Sequence, residues 1–517
     1  MGLFLNTVGQ YRASLYEVAR NLLHSRDTQR LRADRLRCQL DEQIRINDQL
    51  QGDQRHFAEK LRLADLERDQ IREDLQRLRD RPLVLPDDPP LYQHTYGPRM
   101  ISLCIQLAKK VGLRASMEAL KIVWDWLSID TAIPCWTSVR TWLCRMGVDG
   151  INHSLEAHDD WIWMTDHSNQ IGQEKVLIIL GVRACKLPSP GQTLRHQDVH
   201  TLAVVPGTQW KREDVAKQYE ILANKIGTPK MLLTDGAVEL RESAQVLEKD
   251  GKKPILVRDL KHFAANALER MIGNTESFKK YISLLGCSRS SIQQTELSHF
   301  TPPSQKPKAR FMNLAETLCW GEMVLWHLDH PDSKARQGID VERMDVKLGW
   351  LREYRREIAQ WRRIESVISN SLGFINTQGL YRGTSGDLRL HLDTLRQERG
   401  EECDQSKQMS ETLIEFVYAS EVQLAKNERG WLSTEILESA FGLYKALEGQ
   451  HSKGGFTSLL ASFSALLQPC SAAEVRDSFR RTSVKDMKQW VSTNLGTTLN
   501  SKKQTAYRKT LAIASDC

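Results

Sequence analysis

The sequence predicts an α/β core split by a large all-helical insertion and preceded by a coiled coil and a compact three-helix unit. Three observations lead there. Two apolar runs, WIWMTDHS at 161–168 and KMLLTDG at 230–236, read as strands that each end on an aspartate. Between 160 and 270, strand-like and helix-like patterns follow one another in the order strand, strand, strand, helix, strand, helix, strand, helix. Upstream, 29–81 is free of proline, rich in charge and carries a seven-residue apolar repeat.

The bulk numbers set the frame. A chain of 517 residues accommodates two to four domains. Its 40% hydrophobic and 26% charged residues are ordinary for a globular protein. The net charge of +7 and pI of about 8.8 are compatible with a polyanionic partner. The ten cysteines form no CxxC pair, so neither a zinc finger nor a disulfide framework is signalled, and reduced thiols in a cytosolic chain are expected. No run of 18 apolar residues predicts a membrane span, and MGLFLNTVGQYRASLYEVARNLL, interrupted by Arg12 and Arg20, reads as no signal peptide. The expected location is cytoplasmic, associated with the nucleoid if the source is bacterial.

Taken in order, 1–28 is an N-terminal helical segment. Over 29–81 a heptad places Leu36, Gln43, Leu50, Phe57, Ala64, Ile71 and Leu78 at a, and Leu40, Asn47, Gln54, Leu61, Arg68 and Leu75 at d. Nine of these thirteen are apolar, enough for a coiled coil that pairs two copies of the chain, with the polar core positions fixing register. Five prolines in 82–98 end the helix, so 82–99 is a stiff linker. Residues 100–150 hold three short helices with a tight turn before the third, WTSVRTWLCRMG, which is expected to stop at Gly147. This fits a helix-turn-helix, with Arg140, Thr141 and Arg145 facing a DNA groove and Val139, Trp142 and Leu143 facing inward.

Residues 151–270 are the first part of the core. Three successive strands followed by strand–helix alternation is the order of the RNase H-like α/β fold. Residues 271–430 are a helical insertion, interrupted by HFTPPSQKPK and by a glycine-rich stretch near 372–387. Residues 431–448 form a core helix, and 449–517 is a helical C-terminal region ending in a basic tail with Lys502, Lys503, Arg508 and Lys509.

Strand-end aspartates and a helix glutamate suit metal-dependent phosphoryl transfer. Cleaving and joining phosphodiesters needs an activated oxygen nucleophile and a stabilised leaving oxygen, and two Mg²⁺ ions roughly 4 Å apart supply both. Mg²⁺ prefers hard carboxylate oxygens, with Mn²⁺ able to substitute. Asp166 and Asp235 are the strand carboxylates. Glu438 and Glu435, three residues apart on one helix face, are the open choices for the third, and Asp259 is a rival to Asp235. Asp166, Asp235 and one of these two glutamates are thus the expected catalytic residues and metal ligands. His167 points to the opposite face of its strand from Asp166 and is not expected to be a ligand.

These motifs resemble those of DDE transposases with a helical insertion before the glutamate, the arrangement of the hAT and Transib groups and of V(D)J recombinase cores. The resemblance rests on Thr165-Asp166-His167-Ser168, on Leu232-Leu233-Thr234-Asp235-Gly236, on Asp259-Leu260-Lys261-His262, and on Glu438-Ser439-Ala440-Phe441-Gly442. Asp259 and His262 match the (C/D)xxH pattern of those groups. Lys445, seven after Glu438, matches the E-x6-K signature of some bacterial insertion-sequence enzymes. Together the motifs cover 160–270 and 431–448. The coiled coil and helix-turn-helix, in place of a zinc-bearing module, resemble bacterial insertion-sequence proteins. The resemblance implies cleavage at transposon ends and strand transfer into double-stranded target DNA. It favours Glu438, with which Phe441 and Lys445 align, beside Asp166 and Asp235 as catalytic residue and metal ligand, and gives supporting roles to His262 and to Lys445, the latter on a DNA phosphate. Other readings are a nuclease or resolvase of the same fold without strand transfer, and a catalytically inactive coiled-coil and helix-turn-helix DNA-binding protein. Within the insertion, Arg352, Arg355, Arg356, Arg362 and Arg363, and the loop residues Lys306, Lys308 and Arg310, are candidate phosphate contacts. Trp320 and Trp326 are candidates for stacking on a displaced base.

Overall fold

A computed structural model of the chain describes residues 15–79, 87–153, 155–167, 175–207, 209–248, 251, 253–305, 310–330, 341–399, 403–450, 456–495, 505–508 and 510. The chain divides into two units, 1–87 and 88–517. Lys306, Lys308, Lys502, Lys503, Lys509 and part of the 82–99 linker lie outside the described residues.

In the first unit, α1 (Leu15–Arg79) is one helix of 65 residues, about 98 Å long. It runs without a break across residue 28, so the expected boundary between an N-terminal segment and the heptad region is absent. The reason is local: nothing between 15 and 79 is a proline, and the single glycine, Gly52, is tolerated inside a charged helix. Leu36, Leu40, Leu50, Phe57, Leu61 and Ile71 are each more than half exposed. Arg68, at a heptad d position, is turned to Asp65 and Asp69.

The second unit is built on a five-stranded mixed sheet. Its strands are β1 (Trp161–His167), β2 (Lys175–Arg183), β3 (His200–Gly207), β4 (Met231–Thr234) and β5 (Ile255–Arg258), in the spatial order β3-β2-β1-β4-β5. The pairs β1–β2 and β2–β3 are antiparallel, and β1–β4 and β4–β5 are parallel. Both faces are buried, which is why the strands read as continuous apolar runs. Trp161, Trp163, Leu177, Ile179 and Leu232 meet α5 (Arg212–Ile226) and α6 (Val238–Ser243) through Val215, Tyr219, Leu222 and Leu240. Ile162, Met164, Val176, Ile178, Leu180, Met231, Leu233 and Val257 face the main core on the other side.

That second face is covered by helices from far apart in the chain. Three come early: α2 (Pro98–Val111), α3 (Leu113–Leu127) and α4 (Trp136–Asn152). Asp88 caps α2, its carboxylate accepting from the amides of Arg99 and Met100 at 2.9 and 2.8 Å. Next to the sheet, α7 (Leu260–Leu268) leads into the insertion. The insertion contains α8 (Glu276–Ile292), α9 (Leu314–Asp329), α10 (Val341–Leu348), α11 (Arg355–Gln378), α12 (Thr384–Arg399) and α13 (Asp404–Glu421). An aromatic cluster fills its centre, with Trp361 about 5 Å from both Phe278 and Tyr281, ring to ring. The expected glycine-rich interruption shrinks to 379–383, because α11 continues through Gly373 as far as Gln378. There a short antiparallel pair, β6 (Leu380–Tyr381) with β7 (Arg429–Gly430), clasps the beginning and end of the last helical pair. Gly430 packs so closely on Met231 that a Cβ there would lie 2.5 Å from its methyl carbon. The chain is thereby returned to the sheet immediately before α14 (Glu435–Glu448). The C-terminal part adds α15 (Phe463–Leu467), α16 (Ala472–Arg481) and α17 (Val484–Leu495). Among the described residues, no helix is long and apolar enough to cross a membrane.

The three-helix unit is not a free-standing DNA reader. α4 runs through Gly147 to Asn152 instead of stopping there. Gly147 is a close-approach site: a Cβ would collide with the carbonyl of Ala461 and lie 2.6 Å from Cα of Ser462. The supposed groove-facing side of α4 is covered by 458–495. Arg145 is buried, donating to the carbonyls of Thr482 and Phe479 and stacking over the Phe479 ring. Arg140 is spent on the Ser458 hydroxyl. Thr141 bonds back to the Thr137 carbonyl at 2.9 Å. The expectation that Arg140 and Arg145 face a groove is therefore corrected, while Thr141, among the described residues, stays uncovered by any downstream bond: the covering segment is supplied from more than 300 residues downstream, beyond the reach of local pattern.

Candidate active site

Parallel pairing puts Thr165 opposite Thr234, and Thr234 opposite Arg258. One residue further along, Asp166, Asp235 and Asp259 follow on three adjacent strands. Strand alternation sends all three to one face, the face of Met164, Leu233 and Val257. Neighbouring strands lie about 4.8 Å apart, so Asp166 and Asp235 begin as near neighbours at the backbone. Gly236 follows with φ +96°, in the left-handed region, and a Cβ there would strike the Arg258 side chain. The Thr-Asp-Gly sequence is thus a strand end with an obligatory sharp exit.

The aspartates do different things. Asp259 is fully buried and saturated with donors. One oxygen accepts from the amide of His262 at 2.9 Å and from His262 Nδ1 at 2.8 Å; the other accepts from the amide of Thr434 at 2.7 Å. Burial works against its charge, but the His262 hydrogen bond and charge and these amides hold its pKa below the usual carboxylate value. It caps α7 and pins the start of α14 to the sheet, so the alternative of Asp259 as a metal ligand is corrected: its oxygens are already taken.

Asp166 and Asp235 are less satisfied. One oxygen of Asp166 accepts from the amide of His167 at 2.6 Å, and one of Asp235 from the amide of Ala237 at 2.8 Å. Among the described residues, the second oxygen of each receives no donor. Burial pushes the Asp166 carboxyl up to about 8, with the nearby charges of Asp235 and Glu438 adding to it, while His262 and the His167 amide pull the other way. Crowding of carboxylates, only partly offset by His262, is what a cation relieves. His262 is partly buried; burial opposes its charge, but Asp259, Asp166 and Asp235 raise its pKa above the ordinary histidine value.

The two glutamates come from the first turn of α14. Glu438 is gripped by Lys261, Nζ to Oε2 at 2.7 Å, with both side chains partly buried. Glu435 instead accepts from Asn376 at 2.5 Å, pointing to the insertion, and burial raises its pKa. The direct couple to Asp166 is Glu438. Lys261, within the Asp259–His262 motif, was given no role by the sequence reading; no local pattern signals a partner 177 residues away. As placed, no three His, Cys, Asp or Glu side chains among the described residues form a ready-made ion cage. His167 lies on the opposite face, stacked on Trp210 at 6.0 Å.

Lys445 is exposed on α14, its ammonium 5.9 Å from the Phe441 ring. The insertion arginines are largely engaged. Arg352 pairs with Asp345, Arg355 grips Asp329 with both nitrogens at 2.6 and 2.8 Å, and Arg362 spans Glu322 and Glu365. These pairs tie α11 and the turn before it to α9 and α10, and so do not form an open cationic track. Arg356 is exposed, whereas Arg363 and Arg310 are partly covered. Trp320 is a core residue donating to the Phe300 carbonyl at 2.8 Å, and Trp326 is half exposed and stacked on His330.

No family model matches the chain, and no curated protein does. Among solved structures, the Drosophila P element transposase strand transfer complex is similar at a TM-score of 0.35 and 12% identity, over 76% of this chain and 93% of that one. That likeness is too loose to assign a fold.

Proposed function

We propose that this chain is a DDE-type DNA transposase with an RNase H-like core, acting by metal-dependent cleavage at transposon ends and strand transfer into target DNA. The observation that carries the reading is the strand register. It aligns Asp166 and Asp235 on adjacent parallel strands, on the face where α14 brings Glu438 into electrostatic contact. The sheet order β3-β2-β1-β4-β5, with the first three strands antiparallel, is the RNase H-like order and supports the fold reading.

The donor set suits Mg²⁺ or Mn²⁺. The oxygens are hard, two of them lack protein donors among the described residues, and the charges repel when no cation is present. Asp166 and Asp235 would hold the ions, joined by Glu438 once Lys261 lets go. Bound there, such ions lower the pKa of a water or hydroxyl and steady the leaving oxygen. The chain's own residues do the rest. Asp259 fixes α14 against the strand ends and orients His262, and Lys261 holds Glu438 within reach of the site. The α1 heptad supplies pairing of two copies, which would hold two DNA ends together for joining.

Asp166→Asn tests the reading. Mg²⁺-dependent cleavage of terminal-repeat DNA is expected to fall by at least about 10³-fold while DNA binding is kept. Undiminished cleavage in that variant sinks it.

A further inference from the structure

The chain's basic clusters differ in whether their charge is already neutralised. Those of the insertion are paired: Arg352 with Asp345, Arg355 with Asp329, Arg389 with Glu411. One corner of the second unit differs. Where the Leu91–His94 turn returns against α16 and α17, Arg476, Arg480 and Lys485 converge on a single cleft with Tyr92 at its lip. All three cations are exposed. Arg476 and Lys485 make no salt bridge among the described residues, and Arg480 reaches Asp477 only at 3.9 Å. Tyr92 is 88% exposed.

The corner is also rigid. Arg145 braces it from inside, holding the carbonyls of Phe479 and Thr482 while its guanidinium also meets His94 at 3.0 Å. Asp149 clamps the end of α16 through Arg481 and Thr482. Ser471 caps α16, and Ser483, hydrogen-bonded with Asp486, stands at the head of α17. Cations on such a base lose little freedom when they meet a ligand.

We infer that this corner, not the exposed side of α4, is the surface by which the second unit grips the sugar–phosphate backbone of duplex DNA, without reading sequence. The inference rests on the proposed function for its choice of DNA as polyanion. Exposed cations, two of them without a salt bridge among the described residues, on a fixed frame with an exposed tyrosine suit a phosphate track. The corner lies by the start of β3, where His200 and Thr201 share a cleft with Asp477, Ser478 and Arg481. Asp166 lies two strands across from β3, level with Val204 rather than with His200.

The test uses the full chain and a random-sequence duplex of about three helical turns, with affinity measured across a salt series. In the triple variant Arg476→Gln, Arg480→Gln, Lys485→Gln, the slope of log affinity against log salt is expected to become shallower by roughly 2–3. Equivalently, between 50 and 200 mM salt the unaltered chain loses about 40-fold more affinity than the variant. A melting temperature close to that of the unaltered chain shows that the variant is folded. A slope unchanged in the variant overturns the inference, and is the result expected if the corner serves an acidic protein tail instead. If the duplex still binds and Asp166→Asn still abolishes cleavage, only the corner is lost. If the unaltered chain binds no duplex, the proposed function falls with it.

Discussion

The end of the sheet and the outer side of α4 were read from the same kind of signal, polar residues at regular spacing, and they turned out oppositely. At the sheet, Asp166 and Asp235 stand where the strand pattern puts them, on one face and in register. On α4, Arg145 is enclosed by 479–482 and Arg140 is taken by Ser458. The difference lies in what decides exposure. A residue at the end of a buried parallel strand has its face set by alternation and its level set by backbone pairing, both local rules. A helix shows three or four faces, and which one stays open depends on what packs there later.

The sharpest way to break this comparison is Asp166→Asn. Besides losing cleavage, the variant is expected to be more stable in the absence of divalent cations. The native carboxyl, at about 8, titrates above its ordinary value of 3.8. The folded chain therefore keeps a proton that the unfolded chain gives up, and stability falls as pH rises from about 4 to about 8. At pH 7 the gain is at most about 4 kcal/mol. Added Mg²⁺ should raise the melting temperature of the unaltered chain and not of the variant. A variant less stable than the parent at pH 8 would mean that the carboxylates are not crowded.

On the helical side, Arg145→Ala leaves the Phe479 and Thr482 carbonyls without their donor. Denaturant unfolding should show a loss of about 3 kcal/mol. A cost typical of a surface arginine, below about 0.5 kcal/mol, would return Arg145 to solvent.

Asp259→Asn distinguishes a positioning residue from a ligand. Its amide group would face donors, costing about 2 kcal/mol, while metal affinity measured by titration calorimetry stays within about threefold. The charge of Asp259 stabilises the fold fully above its ordinary value of 3.8, and this is lost as pH falls through its lowered native value. The variant should therefore flatten the acid limb of the stability profile. The smallest effect is expected of Lys261→Met: with Glu438 released, metal binds up to about fivefold more tightly, from a pair worth up to about 1 kcal/mol.

The legible part of the site was the part made by neighbours in sequence or in register. Thr165-Asp166 and Thr234-Asp235-Gly236 announce strand ends, and Asp259 with His262 announces a capped helix. The preference for Glu438 over Glu435 came from flanking Phe441 and Lys445, and their different partners, Lys261 and Asn376, were not legible at all. What stayed illegible around Arg140, Arg145, Arg355 and Arg362 shares a cause: their partners sit on other elements.

By itself the sequence determined the strands, their order along the chain, the helical heptad region and the residues at the strand ends. Apolar periodicity and proline placement are sufficient for these. Only the tertiary structure decided that Asp259 ties the start of α14 to the sheet, that Lys261 grips Glu438, and that the C-terminal helices bury Arg145 of α4. Each is a contact between residues more than 170 positions apart, and local sequence cannot specify which distant donor reaches a buried oxygen first.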